Sequence, residues 1–480
     1  MKNILFAGSE CAPFLKTGGL ADVVGSLPKY LDKDFFDCRV VMPLYNCMAQ
    51  KWKDKLTYHS SFYMDLGNRY VYVGIMECDY EGIHYYFIDN QEYFAGEKPY
   101  LGMPEDLGRF AFFSKALLAI LPVVGFRPDL IHCHDWQTGL VPVYLNSLFQ
   151  GNEFYHGIKS VMTIHNLKFQ GVWNMDDFKA VTGIPDYYFT VDKLQHENDA
   201  NMLKGGIVYA NAVTTVSATY AEEIKTEFYG ETLDGILRAR SHDLRGIVNG
   251  LDYDVFNPGK DPSIAAEFTA RNFTSKKKIN KRDLQKTIGL TEDDSVMVIG
   301  IVSRLTDQKG FDLISCVMDE MCQDAVQFAI LGTGEAQYEN MFRYFAEKYP
   351  GKVSAQIYYS EDIAHKIYAG CDAFLMPSAF EPCGLSQLMA MRYGTLPIVR
   401  ETGGLKDTVI PYNEFNKTGT GFSFVNYNAH EMMETVRYAE KVYYDRRDDW
   451  KKLVKQAMNS DYSWNQSALK YQEMYDWLIG

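Results

Sequence analysis

Twice along its length this chain alternates short apolar, β-branched runs with stretches of helical period, a pattern that few architectures accept. In the first half the apolar runs fall at 3–7, 39–42, 70–75, 83–88, 130–133, 160–164 and 212–216. Between them Leu20, Val23, Val24, Leu27 and Leu31 share one face of a helix, and further helical patterns cover 107–121, 138–149, 199–210 and 218–227. Strands this apolar, separated by helices, predict a parallel sheet covered on both faces. A segment rich in Asn, Asp, Gly and Pro over 249–262 reads as a linker. The pattern then restarts with a charged helix over 276–288, on which Lys281 reads as solvated, and apolar runs at 296–302, 326–331, 353–358, 373–376 and 396–399.

The expected fold class is therefore α/β, with two Rossmann-like doubly wound domains that bind ligands beyond the carboxyl ends of their strands. A length of 480 residues agrees, being too great for one ordinary core. The expected divisions are 1–248, 249–457 and a closing segment 458–480. That segment holds an amphipathic helix whose docking partner the sequence leaves open, with the N-terminal domain as the candidate. An internal echo supports the duplication: Thr17-Gly18-Gly19-Leu20-Ala21-Asp22-Val23-Val24 is matched by Thr402-Gly403-Gly404-Leu405-Lys406-Asp407-Thr408-Val409.

Composition removes several function classes. Asp and Glu outnumber Lys and Arg by 62 to 48, a net charge of −14, where a nucleic-acid-binding chain would show a basic excess. The longest apolar stretch, 110–126, is interrupted by Lys115 and Pro122 and reads as a buried helix, not a membrane span. The apolar run after Lys2 is too short for a signal peptide. Nine cysteines without a CxxC pair read as reduced thiols packed as small hydrophobes. The expectation is a cytoplasmic protein with no membrane and no nucleic-acid partner.

Five strand ends carry candidate chemistry. Lys16-Thr17-Gly18-Gly19 lies between the first strand and the first helix, where paired glycines and free N–H groups admit a phosphate. No GxGxxG or Walker sequence is present, and a plain packing turn is the alternative. Arg304 and Lys309 follow the first strand of the second half, positioned to neutralise a departing diphosphate unless the loop is simply solvated. His132 and His134 would share a face of their strand, but a third ligand at metal spacing is missing. His134, Asp135 and Trp136 read better as a sugar-facing strand end, with His165 and Asn166 at a second one. Glu381 precedes Cys383, Gly384 and Leu385 and a helix start, where a carboxylate can accept sugar hydroxyls or merely open the helix.

Taken in order, KTGGLADVVGSLP, HDWQTGLVP, TIHN, VNGLDYDVFNP, SRLTDQKG, PSAFEPCGLSQL and TGGLKDTV resemble the bacterial glycogen and plant starch synthases over nearly the whole chain. The resemblance implies a GT-B arrangement, two Rossmann-like domains facing a cleft. It implies glucose transfer from ADP-glucose to the non-reducing end of an α-1,4-glucan such as glycogen, with retention at the anomeric carbon. It implies that Lys16 and the amides of Gly18 and Gly19 contact the donor diphosphate, and that Arg304 and Lys309 stabilise it as it leaves. Asp135, His165 and Asn166 match donor-glucose and catalytic positions, and Glu381, flanked by Cys383, Gly384 and Leu385, matches the acid that meets the glucose hydroxyls. Asn249 falls in the hinge motif, and Tyr93 is the candidate to stack on adenine. No cofactor and no metal is implied. Eight residues after Glu381 stands Met389, where many UDP- and GDP-sugar transferases carry a second glutamate. A UDP-glucose-dependent enzyme and an inactive glucan-binding scaffold are the competing readings.

Overall fold

The computed structural model describes residues 1–480, which divide into two compact units, Met1–Gly250 with Trp464–Gly480, and Leu251–Ser463. The first unit is built on a nine-stranded sheet. Its strands run in the order Leu244–Gly246, Ala212–Thr215, Lys159–Ile164, Leu130–His134, Lys2–Ala7, Phe36–Pro43, Ile83–Asp89, Arg69–Tyr80 and Thr57–Leu66. The first seven pair in parallel, and the near-continuous burial of all but the half-buried edge strand Leu244–Gly246 follows from helices packed on both faces. The last two are antiparallel, which corrects the expectation of a purely parallel sheet. Thr57–Leu66 alternates Tyr, Ser and Asp with apolar residues, so it lacks the buried-strand signature that marks the others.

The second unit holds a wholly parallel six-stranded sheet in the order Val353–Gln356, Val326–Leu331, Met297–Val302, Ala373–Met376, Leu396–Arg400 and Phe422–Phe424. In both sheets chain order reverses beside the first strand. Those reversals lie between Lys2–Ala7 and Leu130–His134, and between Met297–Val302 and Ala373–Met376. A doubly wound sheet opens a crevice at the carboxyl ends there, because the flanking connections leave to opposite faces.

The unit boundaries differ slightly from those expected. Asn249 and Gly250 stay with the first unit, since a Cβ on Gly250 would lie 2.4 Å from the Trp464 Cα. Residues 458–463 belong to the second unit: Met458 is buried in its core and the Tyr462 hydroxyl donates to the Thr408 carbonyl at 2.8 Å. The closing helix Trp464–Ile479 packs on the first unit, burying Trp464, Tyr471 and Tyr475 among its core residues.

Lys281 is not on a solvated face. Its helix, Phe273–Ile288, turns Lys281 inward, 3% exposed, to meet Asp372 at 2.6 Å. The Thr-Gly-Gly-Leu echo also divides on inspection. Each copy opens a helix, Gly19–Tyr30 and Gly403–Thr408. Gly403 has φ +46° and a Cβ there would strike the Glu381 carbonyl at 2.0 Å, whereas Gly18 is extended and a Cβ on it would meet nothing within 4 Å. The second copy needs glycine for packing, and the first leaves open space. No helix is long and apolar enough to cross a membrane.

Candidate active site

In the first unit, the loop after Lys2–Ala7 folds around a buried carboxylate. Glu10 is 3% exposed and accepts from the Thr17 backbone N–H at 2.5 Å, the Thr17 hydroxyl at 3.0 Å and the Tyr100 hydroxyl at 3.1 Å. Burial outweighs these bonds and raises its pKa above the ordinary carboxylate range. The Lys16 ammonium pairs with Asp22 at 2.8 Å and stays partly exposed, beside the open space over Gly18 and the helix start at Gly19. Glu10 was not singled out in the sequence. The one signal the sequence offers is position: Glu10 stands three residues past an apolar strand, at the carboxyl edge where such sheets bind ligands.

Across the chain reversal, Leu130–His134 ends in Asp135, whose backbone sits at φ 57° and ψ −176°. For a non-glycine residue this conformation costs about 1–3 kcal/mol, a strain that tends to be kept where it aims a side chain. Here it turns the carboxylate onto the next strand end, where Oδ1 accepts the His165 backbone N–H at 2.7 Å. The Asp135 backbone N–H in turn donates to the Thr163 carbonyl at 2.9 Å. Burial pushes the Asp135 carboxyl up to about 7, against the His165 and Asn166 N–H bonds that favour its ionised form. The His165 imidazole is pushed down to about 3 by burial, so it is neutral.

His134 corrects a sequence expectation. It does not face a ligand: it is 0% exposed, and its Nδ1 lies 2.9 Å from His165 Nε2. Asn166 is partly buried and its side-chain oxygen accepts the Lys168 N–H at 3.1 Å, closing the turn after the strand. Tyr93 lies on the short helix Gln91–Phe94 with its ring stacked on Phe112, centroids 4.7 Å apart. Its hydroxyl accepts from Arg69 at 3.3 Å, and the Arg69 guanidinium carbon lies 6.0 Å from its ring centroid. Asn249 is 4% exposed with a side-chain oxygen that has no partner.

In the second unit, the loops after Met297–Val302 and Ala373–Met376 are tied together. Gly310, at φ +74°, admits the Pro377 carbonyl where a Cβ would lie 2.1 Å from it. The Ala379 N–H donates to the Gln308 carbonyl at 2.9 Å, and Arg400 donates to the Ala379 carbonyl at 2.7 Å. This scaffold brings Lys309 and Glu381 together: Nζ reaches Oε2 at 2.7 Å, and the Ser378 hydroxyl donates to the same oxygen at 3.0 Å. Glu381 is 6% exposed, and its Oε1 has no partner within the chain. Arg304 is exposed, and no ion pair or hydrogen bond engages its guanidinium.

The segment after Glu381 is held from beneath. The Gln387 amide donates to the Cys383 and Gly384 carbonyls at 3.1 and 2.8 Å, and Gly384 takes φ +68°. Leu385 then caps the helix Ser386–Arg392. Chemically, the second unit offers one free guanidinium, one ammonium fixed by a buried acid and one free carboxylate oxygen. That set suits an anionic leaving group beside a hydroxyl-bearing one. Ser378, Gln308, Arg400 and Gln387 do not stand out in the sequence, because Ser378 acts on the Glu381 carboxylate and the other three through main-chain carbonyls, contacts that residue type does not reveal.

Comparison with known proteins agrees with this division. Residues 3–239 match the starch synthase catalytic domain and residues 282–457 match glycosyl transferases group 1. The chain is 62% identical over 476 residues to a glycogen synthase of Lachnospira eligens, covering 99% of this chain and 100% of the relative. It is 59% identical to the glycogen synthase of Lachnoclostridium phytofermentans, over the same shares of both chains. Among solved structures, the catalytic domain of starch synthase IV from Arabidopsis thaliana, bound to ADP and acarbose, superposes with a TM-score of 0.92. That match has 32% identity and covers 100% of this chain and 99% of the other. Sheet order, domain matches and full-length identity converge: the chain belongs to the glycogen synthase family of GT-B glycosyltransferases.

Proposed function

We propose that this chain transfers glucose from ADP-glucose to the non-reducing end of an α-1,4-glucan, with retention, in the cytoplasm. The observation that carries the reading is the Lys309–Glu381 pair, with an unpartnered Arg304 on the same loop as Lys309, at the chain reversal of the second sheet. Retention by front-face displacement needs no protein nucleophile. The leaving phosphate oxygen takes the proton of the incoming hydroxyl, and the protein supplies charge at both ends of the breaking bond. Arg304 and Lys309 serve the diphosphate, with Lys16 and the Gly18 and Gly19 amides as further donor contacts. The main-chain carbonyl of His165 faces the developing positive charge on the sugar. Asp135, Asn166 and the free Oε1 of Glu381 take sugar hydroxyls, alongside Cys383, Gly384 and Leu385. Asn249 completes the set with its unpartnered oxygen, and Tyr93 serves the adenine.

The test is incubation of purified protein with glycogen and either ADP-glucose or UDP-glucose, scoring nucleotide release and glucan growth. ADP-glucose is expected to support elongation much faster. Equal or reversed preference in initial rates overturns the nucleotide assignment, and no growth with either donor favours a binding scaffold. Chelation of divalent ions is expected to leave most of the activity, because two cationic side chains carry the leaving-group charge. Loss on chelation with recovery on added magnesium would show that a metal does that work.

A further inference from the structure

Two adjacent strand ends bring three histidines into a column. His132 and His134 stack with centroids 4.2 Å apart, and His134 and His165 follow at 5.2 Å. Phe6 lines the first two, at 5.4 and 6.4 Å. His132 is satisfied at both nitrogens, Nδ1 with the Tyr475 hydroxyl at 2.6 Å and Nε2 with the Thr163 hydroxyl at 2.5 Å. His134 is not. Its Nδ1 meets His165 Nε2 at 2.9 Å, while its buried Nε2 has no partner at all.

We propose that His134 is a positioning residue, which fixes the tautomer and orientation of His165 by donating a hydrogen bond from Nδ1 to His165 Nε2. A neutral imidazole has one N–H and one bare nitrogen. A proton on His134 Nε2 would be a buried donor without an acceptor, whereas a buried acceptor left unpaired is the lesser penalty. The proton therefore sits on Nδ1, and the acceptor facing it is His165 Nε2. His165 must then be bare at Nε2 and carry its proton on Nδ1. Burial holds both rings below the ordinary histidine range, so neither is converted to a cation that would set N–H against N–H. His165 is partly exposed, and its Nδ1 makes no bond within the chain. It is left free to donate to a ligand hydroxyl, as a sugar requires. The clamp of Tyr475 and Thr163 on His132 is the rigid floor on which His134 rests. The inference rests on the placement of His165 in the proposed active site.

The test reads the proton directly. Protein labelled with ¹⁵N-histidine is observed by long-range ¹H–¹⁵N correlation, with His165 assigned by its loss in His165→Gln. Wild-type His165 is expected to be protonated at Nδ1 and bare at Nε2. His134→Leu is expected to mix the two tautomers and lower kcat about 10- to 100-fold, with KM for the nucleotide sugar moving less than about threefold. His134→Asn, whose amide N–H takes the place of Nδ1, is expected to recover most of both. His134→Gln, whose amide reaches the Nε2 position, is not. A wild-type proton on His165 Nε2, or a single unchanged tautomer in His134→Leu, overturns the proposal. Full kcat in His165→Gln would instead remove His165 from the active site and leave the tautomer result standing.

Discussion

Lys309→Ala is expected to lower kcat by about 10²–10³, or about 3–4 kcal/mol of transition-state stabilisation. The ammonium is positioned before any ligand arrives, because Glu381 and the Gly310 turn onto Pro377 hold it in one place. A charge already oriented spends no reorganisation when the diphosphate departs, so its loss falls on the chemical step. Both kcat and kcat/KM should drop together, with KM for the glucan little changed. The substitution also strands Glu381, which is 6% exposed and would keep only Ser378 as a donor. The double variant Lys309→Ala, Glu381→Gln separates the two effects. If repulsion from the stranded carboxylate dominated, Glu381→Gln would restore much of the rate. Lys309→Arg should recover only part, since a planar fork cannot sit where a point charge sat. Lys278→Ala is the matched control, an exposed lysine without a partner on the helix Phe273–Ile288. Near-wild-type kcat in well-folded Lys309→Ala would remove the leaving-group role.

Strand periodicity and strand-end motifs together carried the architecture. The strands around Lys2–Ala7 and Met297–Val302 are buried on both faces, so their composition alone marks them, and a doubly wound sheet then says which loops matter. The sequence could place Lys309 and Glu381 at such loops. It could not show that they touch, because the contact depends on a glycine turn meeting a proline carbonyl 67 residues later in the chain. Polar strands failed the same test in reverse. Thr57–Leu66 is half-exposed at the sheet edge and carries no buried-strand pattern, and the three short strands Val172–Asn174, Gln195–His196 and Asp199–Asn201 are too brief to show a period. Buried polar groups were the least legible. His134 reads as ligand-facing, Lys281 as solvated and Glu10 does not stand out at all, and all three turn inward to partners distant in sequence or to another loop residue. Burial of a charged or polar side chain is a property of what surrounds it, and composition does not carry that.

Lys281→Ala is the case where that difference has the largest consequence for stability. Were Lys281 a solvated lysine, its removal would change stability by no more than a few tenths of a kcal/mol. In the structure its ammonium meets Asp372 at 2.6 Å and donates to the Val296 carbonyl at 2.8 Å and the Tyr443 hydroxyl at 3.0 Å. Asp372 in turn accepts the Val298 N–H at 2.9 Å. The pair thus joins the helix Phe273–Ile288 to the amino ends of Met297–Val302 and Ala373–Met376. Removing the lysine leaves a largely buried carboxylate with only the Val298 N–H and no counter-charge, which costs about 3–5 kcal/mol. Hydrogen exchange in those two strands should accelerate accordingly, by about 10²–10⁴. Burial draws the Lys281 pKa down, but Asp372 and Tyr443 overcome it and the net shift is upward. The sign follows: the stabilisation is present in full below the unfolded lysine value of about 10.4 and fades only as pH rises above it. Converting both partners, as in Lys281→Met with Asp372→Asn, should recover much of the loss, because no unpaired charge remains. Activity per folded molecule should hardly change. Lys309 and Glu381 follow the carboxyl ends of the same two strands, on the opposite edge of the sheet. The sheet therefore separates the ion pair that holds it together from the one proposed to face the chemistry, and Lys281→Ala should lower kcat only if that separation fails.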